Sequence, residues 1–228
     1  DGSFIDYGCS FTYGNYGSGW SVLPNGTRIT YSTISATPSQ VLPTSITDAQ
    51  GNFISITYNS HPSHPKLNTI TDTLGRVITF HYDTSGRLIE IRAPRMQDQD
   101  PAYGSGKTRT VMRLHYRPLT LSYSFQSGIT AVVRQSTVQV LDAIYYPGTQ
   151  TGFWFGDTDS YSSYGMLTKV VEQRGMNWQT GSQEQGEVIQ GTMTKQAEYN
   201  YPLTTVNESG RTNGSSLDDA PTYTSQKE

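Results

Sequence analysis

The sequence is poor in the residues that most often announce chemistry. One cysteine, Cys9, stands in 228 residues, so no internal disulfide can form. A lone thiol in an apolar setting reads as a small buried hydrophobe rather than a nucleophile. Charged residues make up 15% of the chain and the formal net charge is -3. There is no basic run or basic helix, which argues against a nucleic-acid partner. No apolar stretch approaches the roughly 20 residues of a membrane-spanning helix. Apolar residues reach only 34%, against about 45–50% in ordinary globular chains. That excludes a thick core and favours thin sheets. The chain opens DGSFID without Met or a signal peptide and closes TYTSQKE, so a portion of a longer polypeptide is expected.

Catalytic signatures are also missing. Gly-Lys-Thr occurs in "YGSGKTRT" at Tyr103–Thr110, but Pro101 stands where a phosphate loop needs its first glycine, and no helix pattern follows. No G-x-S-x-G elbow is present, and Cys9 has no evident His-Asp partner. His61 and His64 form H-P-S-H, with His81 and His115 elsewhere. Zinc needs three or four converging ligands, and a proline-rich connection explains the pair as well. No catalytic residue, metal ligand or cofactor is expected.

What is abundant is β-forming. Thr occurs 30 times, Ser 25, Gly 22 and Tyr 16. Thr and Tyr suit pleated surfaces; Gly, Ser, Asn and Asp suit tight turns. An internal repeat organises them. Thr47–Tyr58, "TDAQGNFISITY", aligns with Thr71–Tyr82, "TDTLGRVITFHY", at an offset of 24. Each copy opens on Asp-x-x-Gly, Asp48 to Gly51 and Asp72 to Gly75. There the Asp side chain can bond its own backbone two residues on, and Gly supplies a positive φ. Period-two strands follow, with Ile54, Ile56 and Tyr58 on one face and Ile78, Phe80 and Tyr82 on the other copy's matching face.

The turn recurs as Asp83-x-x-Gly86-Arg87, 11 residues after Asp72-x-x-Gly75-Arg76, and joins Val77–Tyr82 to Leu88–Ile91 in an expected hairpin. Tyr161, Gly165 and Leu167 fall 79 residues after Tyr82, Gly86 and Leu88. Leu203-x-x-Val206 leads into Asn207-x-x-Gly210-Arg211. Trp20–Tyr31 reads as strand, Asn-Gly turn, strand. Thr110–Tyr116, Leu119–Phe125, Thr130–Val140 and Ile144–Tyr146 read as further strands. Val138–Tyr146 comes nearest to a helix. Loops are expected at Ala93–Lys107 and Gln173–Gly191, and a polar loop from Gly210 onward.

"ITDAQGNFISITY", "ITDTLGRVITFHYDTSGRLIEI" and "YSSYGMLTKV" resemble the RHS or YD-repeat proteins, and "LPNGTRITY" is similar to the stretch that precedes their first units. The resemblance covers Trp20 to Arg211 and is strongest from Ile46 to Ile91. Asn52 and Met166 depart from it, standing where Arg is usual. The resemblance implies an all-β fold, in which antiparallel hairpin repeats form a continuous sheet within a spiralling shell. In bacterial toxins of the family such a shell encloses a toxic C-terminal domain; in teneurins it belongs to a cell-surface protein. It further implies a secreted or surface location and, as partners, other segments of the same polypeptide and an enclosed toxin domain. On this reading residues 1–228 are one fragment. Lead-in strands occupy 19–45, the clearest repeats 46–92, a loop 93–109, further strands with a degenerate repeat 110–172, a loop 173–191, and a last repeat with a polar tail 192–228.

The regular placement of Asp48, Asp72 and Asp83 before glycine makes them turn-forming rather than catalytic. Arg76 and Arg87 could hold anions, but are expected to lie over Tyr faces or to pair with acidic neighbours. Gly51, Gly75, Gly86, Gly165, Gly210, Arg211, Tyr58, Tyr82, Leu88, Ile91 and Leu167 complete the repeat motif. A second reading is a binding module for a cell-surface glycan, stacking sugars on Trp20, Trp154 and Tyr161. Against it, large aromatics are usually buried. Asn25, Asn207 and Asn213 head N-x-S/T sequons, which arise readily in so Ser- and Thr-rich a chain.

Overall fold

The computed structural model describes residues 5–12, 15–36, 39–59, 65–95, 108–122, 136–179, 184–200 and 225–227. Among these every regular element is a strand and none is a helix. Fourteen strands follow one antiparallel hydrogen-bonded order, β1 to β12 and then β15 and β16; β13 and β14 form a separate pair. By contact density the chain divides into two units, Asp1–Val111 and Met112–Glu228.

The first unit holds β1 (Asp6–Thr12), β2 (Asn15–Val22), β3 (Arg28–Ala36), β4 (Ser39–Thr47), β5 (Phe53–Asn59), β6 (Lys66–Asp72), β7 (Val77–Tyr82) and β8 (Leu88–Pro94). Each is antiparallel to the next. Register follows the period-two pattern. Ile46 pairs with Ile54, Ile56 with Ile70, Ile70 with Ile78, and Phe80 with Ile91. The aliphatic side chains therefore line one face. That face is only half-buried: among the described residues of this unit the buried ones are Asp83 and Glu90, both polar.

β9 (Thr108–Thr120) begins in the first unit and runs into the second. The second unit continues with β10 (Thr137–Tyr146), β11 (Thr151–Trp154), β12 (Lys169–Arg174), β15 (Thr192–Asn200) and β16 (Ser225–Lys227), plus the hairpin β13 (Asn177–Gln179) and β14 (Glu187–Ile189). Its small core consists of Ala143, Tyr145 and Met176, with Trp154, Trp178 and Val188 packed against it.

Several sequence expectations are corrected. Thr110–Tyr116 and Leu119–Phe125 are not separate strands; β9 runs through Pro118, which pairs with Gln139, because proline's fixed φ is compatible with extended backbone. Val138–Tyr146 is strand, continuous with Ile144–Tyr146, since a bulge between Leu141 and Ala143 absorbs the extra residue Asp142. Gln173–Gly191 is not a loop throughout: it holds the end of β12 and the β13–β14 hairpin. Those strands of three residues are too short to show a period and are fixed by the packing of Trp178 and Val188. The polar tail includes β16, paired with β15, and Ala93 and Pro94 extend β8. Cys9 is exposed, not buried; it lies in β1, which pairs with β2 at the end of the strand order.

Five hairpin turns share one backbone pattern. The amide of the first residue donates to the carbonyl of the fifth, and the amide of the fourth donates back to the carbonyl of the first. The first residues are Leu23, Asp48, Asp72, Asp83 and Ser162. The fourth is always glycine, with φ between +76° and +90°. This is a type I turn closed by a glycine bulge, including at the Asn25-Gly26 turn expected from the sequence. A Cβ at Gly75 would meet nothing, so Gly75→Ala tests the backbone alone. Gly152 differs: a Cβ there would collide with the Ile144 carbonyl and Met176 Sδ. Thermal or urea unfolding should show Gly75→Ala costing about 1–2 kcal/mol and Gly152→Ala costing more. The reverse order would contradict this account of the two glycines.

Candidate functional site

The repeat unit is built from the turn outward. Asp48 Oδ1 accepts from the amides of Gln50 (2.9 Å) and Asn52 (2.8 Å), and Asp48 Oδ2 from Asn52 Nδ2 (2.8 Å). Asp72 repeats this with the amides of Leu74 (3.0 Å) and Arg76 (2.9 Å), and with Arg76 Nε (2.6 Å). Asp83 takes the Arg87 amide (2.7 Å) and Arg87 Nε (2.6 Å). Arg76 and Arg87 thus pair within their own turns. Cations also stand at ring faces: Arg28 at Trp20, Lys66 at Tyr82, Arg113 at Trp178 and Arg117 at Tyr161.

Hydrogen bonds set the charge state of these turns. The Asn52 side chain holds the Asp48 carboxyl below its usual range, and the Arg76 side chain does so for Asp72. Both carboxyls spend these hydrogen bonds on shaping their own turns.

The tyrosine closes the unit. Tyr58 Oη donates to the Pro43 carbonyl and Tyr82 Oη to the Leu67 carbonyl, each at 2.8 Å. Donor and acceptor are both displaced by 24 residues between the copies, as are the turns. A register shift falls at the same place in each copy, between Thr57 and Tyr58 and between His81 and Tyr82. Burial raises both phenols above their ordinary range, so each stays a donor. Thr73 ties successive turns together, accepting from the Phe53 amide at 2.6 Å and donating to its carbonyl at 3.1 Å.

The degenerate copy in the second unit keeps the frame. Tyr161 bridges to Leu167 as Tyr82 pairs with Leu88. Tyr161 Oη donates to the Leu141 carbonyl at 2.6 Å. Ser162 replaces the aspartate, its Oγ accepting from the amides of Tyr164 (3.3 Å) and Met166 (3.2 Å). Ser162 was missed from sequence, although the 79-residue alignment places it opposite Asp83. Lys66 was also missed; it donates to the Gly86 carbonyl and stands over the Tyr82 ring. Leu88 and Ile91 lie in β8. His61, His64, Asn207, Gly210, Arg211 and Asn213 lie outside the described residues.

One further polar cluster lies in the second unit. The bulge residue Asp142, 7% exposed, receives His115 Nδ1 at 2.9 Å and lies 3.1 Å from Arg117 Nε. Arg117 Nη2 donates to the Asp157 carbonyl at 3.1 Å. The Trp178 ring meets His115 edge-on and stacks on Tyr145. These contacts fasten the β13–β14 hairpin. No group of three or more potential metal ligands converges among the described residues.

The aromatics proposed for sugar stacking are engaged. Trp154 Nε1 donates to Asp157 Oδ1 at 2.9 Å, and its ring fills the space beside Gly156. Tyr161 has Arg117 over its face and its hydroxyl committed. Trp20 lies against Gly8 and under Arg28, while lining an open apolar groove with Tyr7 and Tyr31.

Residues 67–95 match the family model described as RHS Repeat. The chain carries an RHS repeat. The match spans the Leu67 carbonyl that receives Tyr82, the turns at Asp72 and Asp83, and the Leu88–Ile91 strand, and it supports assignment to the RHS/YD-repeat family. No curated protein matches the chain.

Tyr82→Phe should lower stability by about 1 kcal/mol, the ordinary net worth of a hydrogen bond, measured by chemical denaturation. An unchanged midpoint would mean that the phenol does not close the repeat. Asp48 and Asp72 have depressed folded pKa values, so their contribution is complete above the unfolded value near 3.8 and is lost as pH falls through the folded one. The double variant Asp48→Asn, Asp72→Asn should flatten the decline of stability below about pH 4. A decline as steep as that of the parent would show that these carboxyls do not govern it.

Proposed function

We propose that this chain is a non-catalytic section of the wall of a large RHS/YD-type protein, secreted or delivered to the cell surface of a bacterium. Its work is mechanical: hairpins pair into a sheet that encloses or displays another domain, with a toxin domain as the enclosed partner. Other segments of the same polypeptide are its principal partners. The observation that carries the reading is the turn, strand and tyrosine unit repeated at an offset of 24, with donor, acceptor and bulge all displaced together. A single hairpin cannot bury its own face, so such units gain stability only by adding to one another. The carboxylates that might have served catalysis are consumed by their own turns. The glycan reading has less support, because Trp154 and Tyr161 are held by polar and cation contacts.

Denatured mass spectrometry of the polypeptide as made by its source tests this. A mass far above 25.2 kDa is expected. A mass close to 25.2 kDa would overturn the wall reading, since these hairpins would then have to close on themselves or between chains.

A further inference from the structure

In the second unit the edge of β9 that faces away from β10 is closed by three separate means. In an antiparallel ladder, alternate residues turn their backbone groups towards the partner strand and away from it. The Leu121 amide donates to the Ser136 carbonyl at 2.7 Å, on the β10 side. Counting back along the regular register, Leu119 and Arg117 also face β10, while Thr120, Pro118 and Tyr116 face outward. β8 is the other neighbour of β9 in the strand order. At Tyr116, however, the outward amide goes to a side chain and not to a strand: it donates to Gln185 Oε1 at 2.8 Å. Two residues on, Pro118 has no amide hydrogen to offer. Ser122 faces outward as well, and its amide donates to the Ser163 carbonyl at 2.9 Å. Of the four outward positions from 116 to 122, Thr120 is the remaining donor.

The closing groups are held in place by structure of their own. Gln185 sits in the connection between β13 and β14, followed by Gly186 at φ +71°. A Cβ on Gly186 would stand 2.5 Å from both the Gln179 carbonyl and Trp178 Nε1, so glycine is what lets this connection close. Trp178 anchors the hairpin, stacked on Tyr145 of β10 and edge-on to His115 of β9. Ser163 lies in the turn that Gly165 closes, and Gly165 packs beside Leu121.

An unpaired strand edge is a template for another strand. A strand arriving along residues 116–122 would need the outward donors of β9. It would find one bonded to Gln185, one absent and one bonded to Ser163. A sheet that grows by adding hairpins needs such a stop wherever growth must end, and proline on an outward edge is one of the known stops.

We propose that the β13–β14 hairpin is an edge guard. Gln185, together with Pro118, prevents a further strand from pairing along residues 116–122, and in solution the strand that would reach this edge belongs to a second copy of the chain.

The test compares the 228-residue chain with Gln185→Ala and with the double variant Gln185→Ala, Pro118→Thr. Residue-resolved amide hydrogen exchange reads the cap. Tyr116 should exchange about tenfold faster in Gln185→Ala, the ordinary worth of one hydrogen bond. Sedimentation velocity over a range of concentrations reads the edge. The double variant should associate further than the parent, with far-ultraviolet circular dichroism unchanged, and the amides at positions 116, 118 and 120 should become protected as it does. Any of three results would overturn the proposal: Tyr116 exchange unaltered by Gln185→Ala, a double variant no more associated than the parent, or association that leaves positions 116, 118 and 120 unprotected. Gln185→Ala decides the first of these alone, whatever Pro118→Thr does to folding.

Discussion

The fold depends on a pair of backbone hydrogen bonds across five residues. One runs from the first amide to the fifth carbonyl and one from the fourth amide to the first carbonyl. The pair sets the direction in which the chain returns and fixes the register of the next strand, which decides whether its isoleucines share a face with those before. The side chain at the first position only reinforces what the backbone has made. Aspartate does this at three turns, serine at one, and leucine at the Leu23 turn does not do it at all. At that last turn Asn25 helps instead, its Oδ1 accepting from the Thr27 amide at 3.0 Å.

Each unit finds cohesion in its own way. In the first, no apolar side chain among the described residues is fully buried, and strands are joined through ladders, turn carboxylates and tyrosine hydroxyls reaching back to the preceding strand. In the second, the hairpin β13–β14 brings Trp178 onto Tyr145 and His115, and a small core forms around Ala143 and Met176. A chain with 34% apolar residues can do this because most of its side chains need only half-burial.

Much of this was legible in the sequence because the repeat is local. Asp-x-x-Gly and the alternation after it lie within 12 residues, and the 24-residue offset displayed the unit twice. The Tyr161 copy was visible from tyrosine, glycine and leucine, while Ser162 was not, since a hydroxyl does the carboxylate's work without its identity. What the sequence hid was tertiary. Asp142 is drawn into a bulge beside His115 and Arg117, two residues 27 and 25 positions earlier in the chain. The β13–β14 hairpin exists because Trp178 has a place to pack, and three-residue strands carry no pattern of their own. Cys9 was misread because a small apolar residue is assigned to a core by habit, while it stands exposed in the terminal strand β1.

The central claim is that the turns at Leu23, Asp48, Asp72, Asp83 and Ser162 are one device. Residue-resolved amide hydrogen exchange of the folded chain tests it most directly. The amides of Gly26, Gly51, Gly75, Gly86 and Gly165 each donate within their turns, so all five should exchange slowly and in step with the flanking strands. Exchange at the rate of free peptide in the Ser162 or Leu23 turn, with the aspartate turns protected, would show that the carboxylate and not the backbone pair makes the turn, and would contradict the account.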